Sequence, residues 1–166
     1  MKYTIYKNWH YSLPPYLLIL CGNELNKKVT ISKEAWFEKT NVDDEDINKL
    51  FGVAFGILGV HKNSFRVGWK PNKMKGNIDL YAYYYNNEGK HTSEFLTTIF
   101  TSYHYNMSIQ WDSNNMFSVD IDGENYFMRE LKIIQSPLKF FLRPYNGGDN
   151  NSYNKYTIAL IKERRD

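Results

Sequence analysis

Tyr103-His104-Tyr105-Asn106-Met107-Ser108-Ile109-Gln110-Trp111 alternates apolar and polar side chains without a break. Successive side chains of an extended strand point to opposite faces, so Tyr103, Tyr105, Met107, Ile109 and Trp111 share one face and His104, Asn106, Ser108 and Gln110 the other. The pattern predicts a strand with one face on a core and the other displaying hydrogen-bonding groups. The next residues continue it. Asp112-Ser113-Asn114-Asn115 is a turn of residues that tolerate positive φ, residues 116–121 form a second strand, and Asp122-Gly123 closes a further hairpin onto residues 125–131.

The same signature recurs in both directions along the chain. Runs of β-branched and aromatic residues bounded by Asn, Gly, Asp and Pro predict strands over residues 2–6, 16–21, 27–31, 64–70, 77–85, 91–96, 138–143 and 156–161. Asn86-Asn87-Glu88-Gly89 turns between two of them. Only residues 32–39, opened by a Ser, and 46–51, after the acidic run Asp43-Asp44-Glu45-Asp46, suggest short helical turns. The Asn-rich residues 147–154 read as a loop. Short strands at this spacing predict an all-β, two-sheet antiparallel β-sandwich of the jelly-roll kind, with one or two helical turns and a single domain over residues 1–166.

Composition narrows the function classes. With 166 residues, 42% hydrophobic and 17% aromatic, 14 of them Tyr, the chain is too rich in rings to stay disordered. A mean hydropathy of −0.59, with no apolar run near about 20 residues, predicts no helical membrane span. The net charge of +3 is scattered rather than clustered, so no nucleic-acid partner is expected. The single Cys21 permits no internal disulfide and no zinc site, and is expected to be a small buried hydrophobe. Lys2 and Lys7 precede the apolar Leu17-Leu18-Ile19-Leu20, yet the stretch is short, Pro14-Pro15 interrupts it, and Leu20 is too bulky for a cleavage site. No signal peptide is therefore expected, and the expected location is the cytoplasm of the producing cell or a phage particle.

Two resemblances emerge from these residues. Residues 105–126, a strand, an Asp/Asn turn, a second strand and Asp122-Gly123, resemble the corresponding pattern of concanavalin-like lectin and glucanase sandwiches. The blocks Asp46-Ile47-Asn48-Lys49-Leu50-Phe51-Gly52, His61-Lys62-Asn63-Ser64-Phe65-Arg66-Val67-Gly68-Trp69, Ile78-Asp79-Leu80-Tyr81-Ala82-Tyr83 and Leu142-Arg143-Pro144-Tyr145-Asn146-Gly147-Gly148 resemble a family of small uncharacterised β-sandwich proteins of bacteria and their phages. This second resemblance implies a sandwich but no activity. Its members tend to carry an aromatic where Asn146 stands and more than one His around His61.

The densest polar constellation is His61, Asn63, Ser64, Arg66 and Trp69. On its strand Ser64, Arg66 and Gly68 share one face and Phe65, Val67 and Trp69 the other. Arg66 in mid-strand reads as an anchor for a carboxylate, sulfate or hydroxyl, with Gly68 admitting a ligand closely; the other reading pairs Arg66 with an acid on a neighbouring strand. In Tyr81-Ala82-Tyr83-Tyr84-Tyr85, Tyr81, Tyr83 and Tyr85 oppose Ala82 and Tyr84. If one row is core, the other meets solvent or a partner, and its rings suit the apolar faces of sugars; equally, Tyr is simply a good strand former.

Catalysis has fewer signs. No strand carries the carboxylate pair that a retaining glucanase holds about 5 Å apart. Asp120 and Asp122 read as hairpin residues, and Gly52, Gly56 and Gly59 as turns or close packing, so neither a metal nor a cofactor is expected. Some concanavalin-like sandwiches are polysaccharide lyases, and that resemblance implies a role for Arg66 and Gln110 in neutralising a uronate carboxylate, with His61 or His104 as base and Tyr145 as base or acid. The leading expectation is a non-catalytic module binding glycan through His61, Asn63, Arg66, Trp69 and the tyrosines 81, 83 and 85 (Tyr81, Tyr83, Tyr85), joined by His104, Gln110 and Tyr145. A phage structural or attachment component touching neighbouring chains, including copies of itself, is the first alternative, and a lyase using His61, Arg66, Gln110 and Tyr145 the second.

Overall fold

Alternating burial along short extended runs organises the chain in a computed structural model, which describes residues 1–13, 18–20, 22–38, 46–56, 63–147 and 152–162. The strands among these residues are β1 (Lys2–Ile5), β2 (Ser12–Leu13), β3 (Leu18–Leu20), β4 (Glu24–Ile31), β5 (Asn48–Phe55), β6 (Ser64–Pro71), β7 (Asn77–Tyr85), β8 (His91–Phe100), β9 (Tyr105–Trp111), β10 (Met116–Ile121), β11 (Glu124–Glu130), β12 (Lys139–Leu142) and β13 (Tyr156–Lys162). They form a seven-stranded sheet, ordered β11-β10-β9-β4-β13-β1-β2, and a six-stranded sheet, ordered β3-β12-β5-β6-β7-β8. All these strands pair antiparallel. None of the described helical residues makes a segment long and apolar enough to cross a membrane.

The core lies between the sheets. Val29, Met107, Ile109, Trp111, Phe117 and Val119 enter it from the larger sheet, and Leu50, Val53, Phe65, Val67, Trp69 and Leu80 from the smaller. Rings interlock across the gap: Phe65 lies 5.2 Å from Phe117, and Trp69 meets Tyr156 edge-on at 5.5 Å. The two-sheet sandwich read from the alternation is the observed fold.

The exceptions have local causes. The sequence suggests a helical turn over residues 46–51, but Asn48–Phe55 is a strand in the interior of the six-stranded sheet. The register with β6 shifts between Lys49 and Phe51, so Leu50 is an extra residue, and Leu50 and Phe51 are both buried. That bulge breaks the period of two and imitates a helical pattern. Of residues 32–39, those described run to Glu38, and among them Lys33–Ala35 forms a single 3₁₀ turn before Trp36 returns to extended backbone. The strand expected from Tyr103 begins at Tyr105, because Ser102 takes φ 66° and turns Tyr103 out to 65% exposure. Cys21 and Gly59 lie outside the described residues. The turns fall where the sequence placed them, Asp122 and Gly123 both adopting positive φ.

Candidate functional site: the outer face of the six-stranded sheet

Because Phe65, Val67 and Trp69 point into the core, Ser64, Arg66 and Gly68 point away from it. The register sets their neighbours. Arg66 lies between Gly52 on β5 and Tyr83 on β7, Ser64 between Ala54 and Tyr85, and Gly68 between Lys49 and Tyr81. On β8, His91 stands opposite Tyr85 and Phe95 opposite Tyr81. The tyrosine rows are thereby sorted. Ala82 belongs to the core and Tyr84 packs against it, stacked on Phe65, while Tyr81, Tyr83 and Tyr85 occupy the outer face.

Facing outward does not leave this cluster exposed. Arg66 and Tyr83 retain 6% of their surface and Lys49 9%. Gly52 makes room for the arginine: a Cβ there would stand 2.1 Å from the Phe65 carbonyl oxygen and 2.8 Å from Arg66 Cγ. Lys49 Nζ lies 4.7 Å from the Tyr83 ring centroid, and the Tyr83 hydroxyl donates to that of Tyr85 at 3.1 Å. Tyr83 also stacks on His91 at 5.7 Å.

The loop after β12 closes one side. Lys49 and Tyr145 exchange backbone hydrogen bonds of 2.8 and 2.9 Å, placing the Tyr145 ring edge-on to Tyr11 and stacked on His10. Asn146 accepts a hydrogen bond at 3.2 Å from the buried Tyr156 hydroxyl. Gly147 leaves the space beside the lysine, since a Cβ there would sit 2.7 Å from Nζ and 2.1 Å from the Ile47 carbonyl oxygen.

Burial, and then the neighbouring Arg66, push the Lys49 ammonium down to about 8, with Asp46 acting in the opposite direction. Burial also lowers Arg66, opposed by Tyr83, Tyr85 and Tyr145. It raises Tyr83 strongly, helped by the Tyr85 hydrogen bond, and raises Tyr145. At neutral pH the face therefore holds two adjacent cations under neutral phenols.

Several expected site residues lie elsewhere. Trp69 is fully buried in the core and offers no surface to a ligand. Asn63 is a corner residue at φ 49°, its Oδ1 accepting from the Ile134 N–H. Gly68 admits no ligand, because Ile47 Cγ2 would be 2.4 Å from a Cβ placed there. Gln110 and His104 belong to the other sheet's outer side, Gln110 donating to Glu24 at 3.1 Å and His104 sharing a hydrogen bond with Thr30. Arg66 and Gln110 thus face away from each other across the sandwich and cannot flank one carboxylate. His61 lies outside the described residues. Arg66, Tyr83, Tyr85 and Tyr145 do converge, with Tyr81 one row further along. Lys49, His10, Tyr11 and His91 complete the group; Lys49 falls within one of the sequence blocks, where nothing singles it out as a site residue, and no motif marks the other three. Among the described residues no cluster of His, Cys, Asp and Glu is arranged to hold a metal ion.

No family model matches the chain, and no curated protein matches it in sequence. Solved structures match it in shape. Alginate lyase Aly36B, as a double mutant in complex with alginate trisaccharide, superposes with a TM-score of 0.60 at 14% identity, over 98% of this chain and 81% of that one. Alginate lyase AlyC3 gives 0.54 at 14% identity, over 97% and 68%. The binding domain of botulinum neurotoxin serotype D gives 0.53 at 9% identity, over 97% of this chain and 38% of that one. At these identities the likeness is one of fold, a jelly-roll β-sandwich.

Proposed function

We propose that the outer face of the six-stranded sheet binds an acidic polysaccharide, with Lys49 and Arg66 supplying the positive field and Tyr11, Tyr85 and Tyr145 the contact surface. One observation carries this reading: two like charges are held side by side in a largely buried site, and their mutual effect helps to bring Lys49 down to about 8. An anion seated over them offsets that repulsion and favours charged Lys49. The rim suits a sugar chain, since Tyr11 is 60% exposed and its ring meets Tyr145 edge-on. The likeness in fold to Aly36B, solved with an alginate trisaccharide, supports the choice of a uronate.

A second reading, β-elimination on the same chain, is favoured by Lys49 itself. With the ammonium near 8, roughly a tenth of it is neutral at pH 7. The neutral amine takes the proton on the carbon next to a uronate carboxylate, Arg66 stabilises the negative charge that develops, and the Tyr145 hydroxyl protonates the leaving oxygen as the C–O bond breaks and a C=C bond forms.

Calorimetric titration with oligomannuronate and oligoguluronate tests binding. The wild-type chain should bind at least one, with affinity falling as salt rises, and Arg66→Met and Lys49→Met should each weaken it by about tenfold or more. Absence of binding to both overturns the reading. Ultraviolet absorbance from unsaturated chain ends separates elimination from binding alone.

A further inference from the structure

The seven-stranded sheet carries a second outer face of different chemistry. Two adjoining depressions run across it, of about 470 and 330 Å3, and Gln110 lines both. Their origin is the register. One rung reads Met128, Ser118, Gln110, Glu24 across β11, β10, β9 and β4, and the next reads Asn125, Asp120, Ser108, Asn26. With strands about 4.8 Å apart, each rung spans roughly 14 Å. Ser118 stands between the longer Met128 and Gln110, and Ser108 between the longer Asp120 and Asn26, so each rung dips at its serine.

The lining is matched to hydroxyl groups rather than to charge. Gln110 Nε2 donates to Glu24 at 3.1 Å on the first rung; on the second, Ser108 Oγ donates to Asp120 Oδ2 and Asn125 Nδ2 to Asp120 Oδ1, each at 3.3 Å, so the lining offers both donors and acceptors. Glu24, Asp112 and Asp120 make the trough acidic, whereas Lys139 at its end is engaged by the Gly22 carbonyl and Asn23. A polyuronate would meet carboxylate repulsion here. Met116 at 38% and Met128 at 66% exposure add an adaptable apolar wall suited to the C–H face of a sugar ring.

The geometry points to a second glycan site on this face, specific for a neutral, hydroxyl-rich chain about two to three sugar units long, the length of one rung. It is independent of the cationic face. The two sites lie on opposite sides of the sandwich, so one chain can hold an acidic and a neutral glycan at once.

The test is a titration of the isotope-labelled full chain, followed by NMR, with cellohexaose, xylohexaose, hexamannuronate and the chitosan hexamer. At least one neutral hexasaccharide should shift the amides of Ser108, Gln110 and Ser118. Gln110→Ala and Ser108→Lys should weaken that binding by about tenfold, the loss of one or two hydrogen bonds. Gln110 is exposed, so its truncation leaves folding intact, and circular dichroism melting of both variants checks this. The inference is overturned if neither neutral probe shifts these amides at millimolar concentration. It is also overturned if hexamannuronate or the chitosan hexamer binds there more tightly, or if Gln110→Ala folds and binds unchanged.

Discussion

Lys49 holds its ammonium 4.7 Å from the centroid of the Tyr83 ring, on a face where both side chains are nine-tenths buried. The π face compensates part of the desolvation, but the ammonium still falls to about 8 from 10.5. Below pH 8 the lysine is charged in both folded and unfolded chains. Between pH 8 and about 10 the folded chain sheds the proton while the unfolded chain keeps it, so stability rises with pH by up to roughly 3 kcal/mol. Above pH 10 the order reverses, because burial holds Tyr83 and Tyr156 protonated in the fold while the unfolded phenols ionise. Urea unfolding from pH 7 to 11 should therefore show a maximum near pH 10. The rising limb should flatten in Lys49→Met; an equal rise in that variant removes Lys49 as its cause.

The room for Arg66 is made by Gly52. A methyl group at residue 52 would meet backbone atoms, the Phe65 carbonyl oxygen at 2.1 Å and Arg66 Cα at 2.7 Å, rather than the movable end of a side chain. Strands β5 and β6 would have to separate. Gly52→Ala should cost about 3 kcal/mol, read as a drop in the urea midpoint, whereas Gly22→Ala, with nothing within 4 Å and φ +88°, carries only the backbone penalty of about 1 kcal/mol. Equal losses in the two variants would contradict the packing account.

How far the sequence led depends on where the period of two survives. It runs unbroken through β9 and β10, and there the strands, turns and core face were legible to within two residues. It also placed Arg66 outward, through Phe65, Val67 and Trp69, and the same rule put Trp69 in the core, so grouping Trp69 with Arg66 as ligand contacts ignored the strand's own alternation. Lys49 was hidden because the bulge at Leu50 interrupts the pattern between it and Phe51. Gln110 shows a different limit. Alternation tells which face of a strand a residue takes, not which sheet the strand joins, and so it could not reveal that Arg66 and Gln110 look in opposite directions.

A buried hydrogen bond from the core helps to hold the Tyr145 loop, beside the backbone bonds to Lys49 and His10. Tyr156 is 3% exposed and its hydroxyl donates to Asn146 Oδ1 at 3.2 Å, one residue from Tyr145. Tyr156→Phe leaves that amide oxygen without its buried donor, which costs about 1–2 kcal/mol. The effect should reach the site. Hydrogen exchange at the Lys49 and Tyr145 amides should quicken in the variant, with weaker oligouronate binding; lost stability with unchanged exchange there would restrict Tyr156 to the core.

Glu94 joins the free edges of the two sheets. Its Oε1 accepts from Arg129 Nη1 on β11 and from the Tyr84 hydroxyl on β7, both at 2.7 Å. The ion pair is exposed, 58% on the arginine side, so salt screens it and Arg129→Met should cost no more than about 0.5 kcal/mol. Tyr84 is different, since its ring packs on the core and its hydroxyl is only partly solvated. Glu94→Ala removes both bonds and should cost about 1.5 kcal/mol, most of it persisting in molar salt. Urea midpoints of the two variants at low and high salt check the division. If Arg129→Met proves as costly as Glu94→Ala, the ion pair rather than the tyrosine bond holds the edges together.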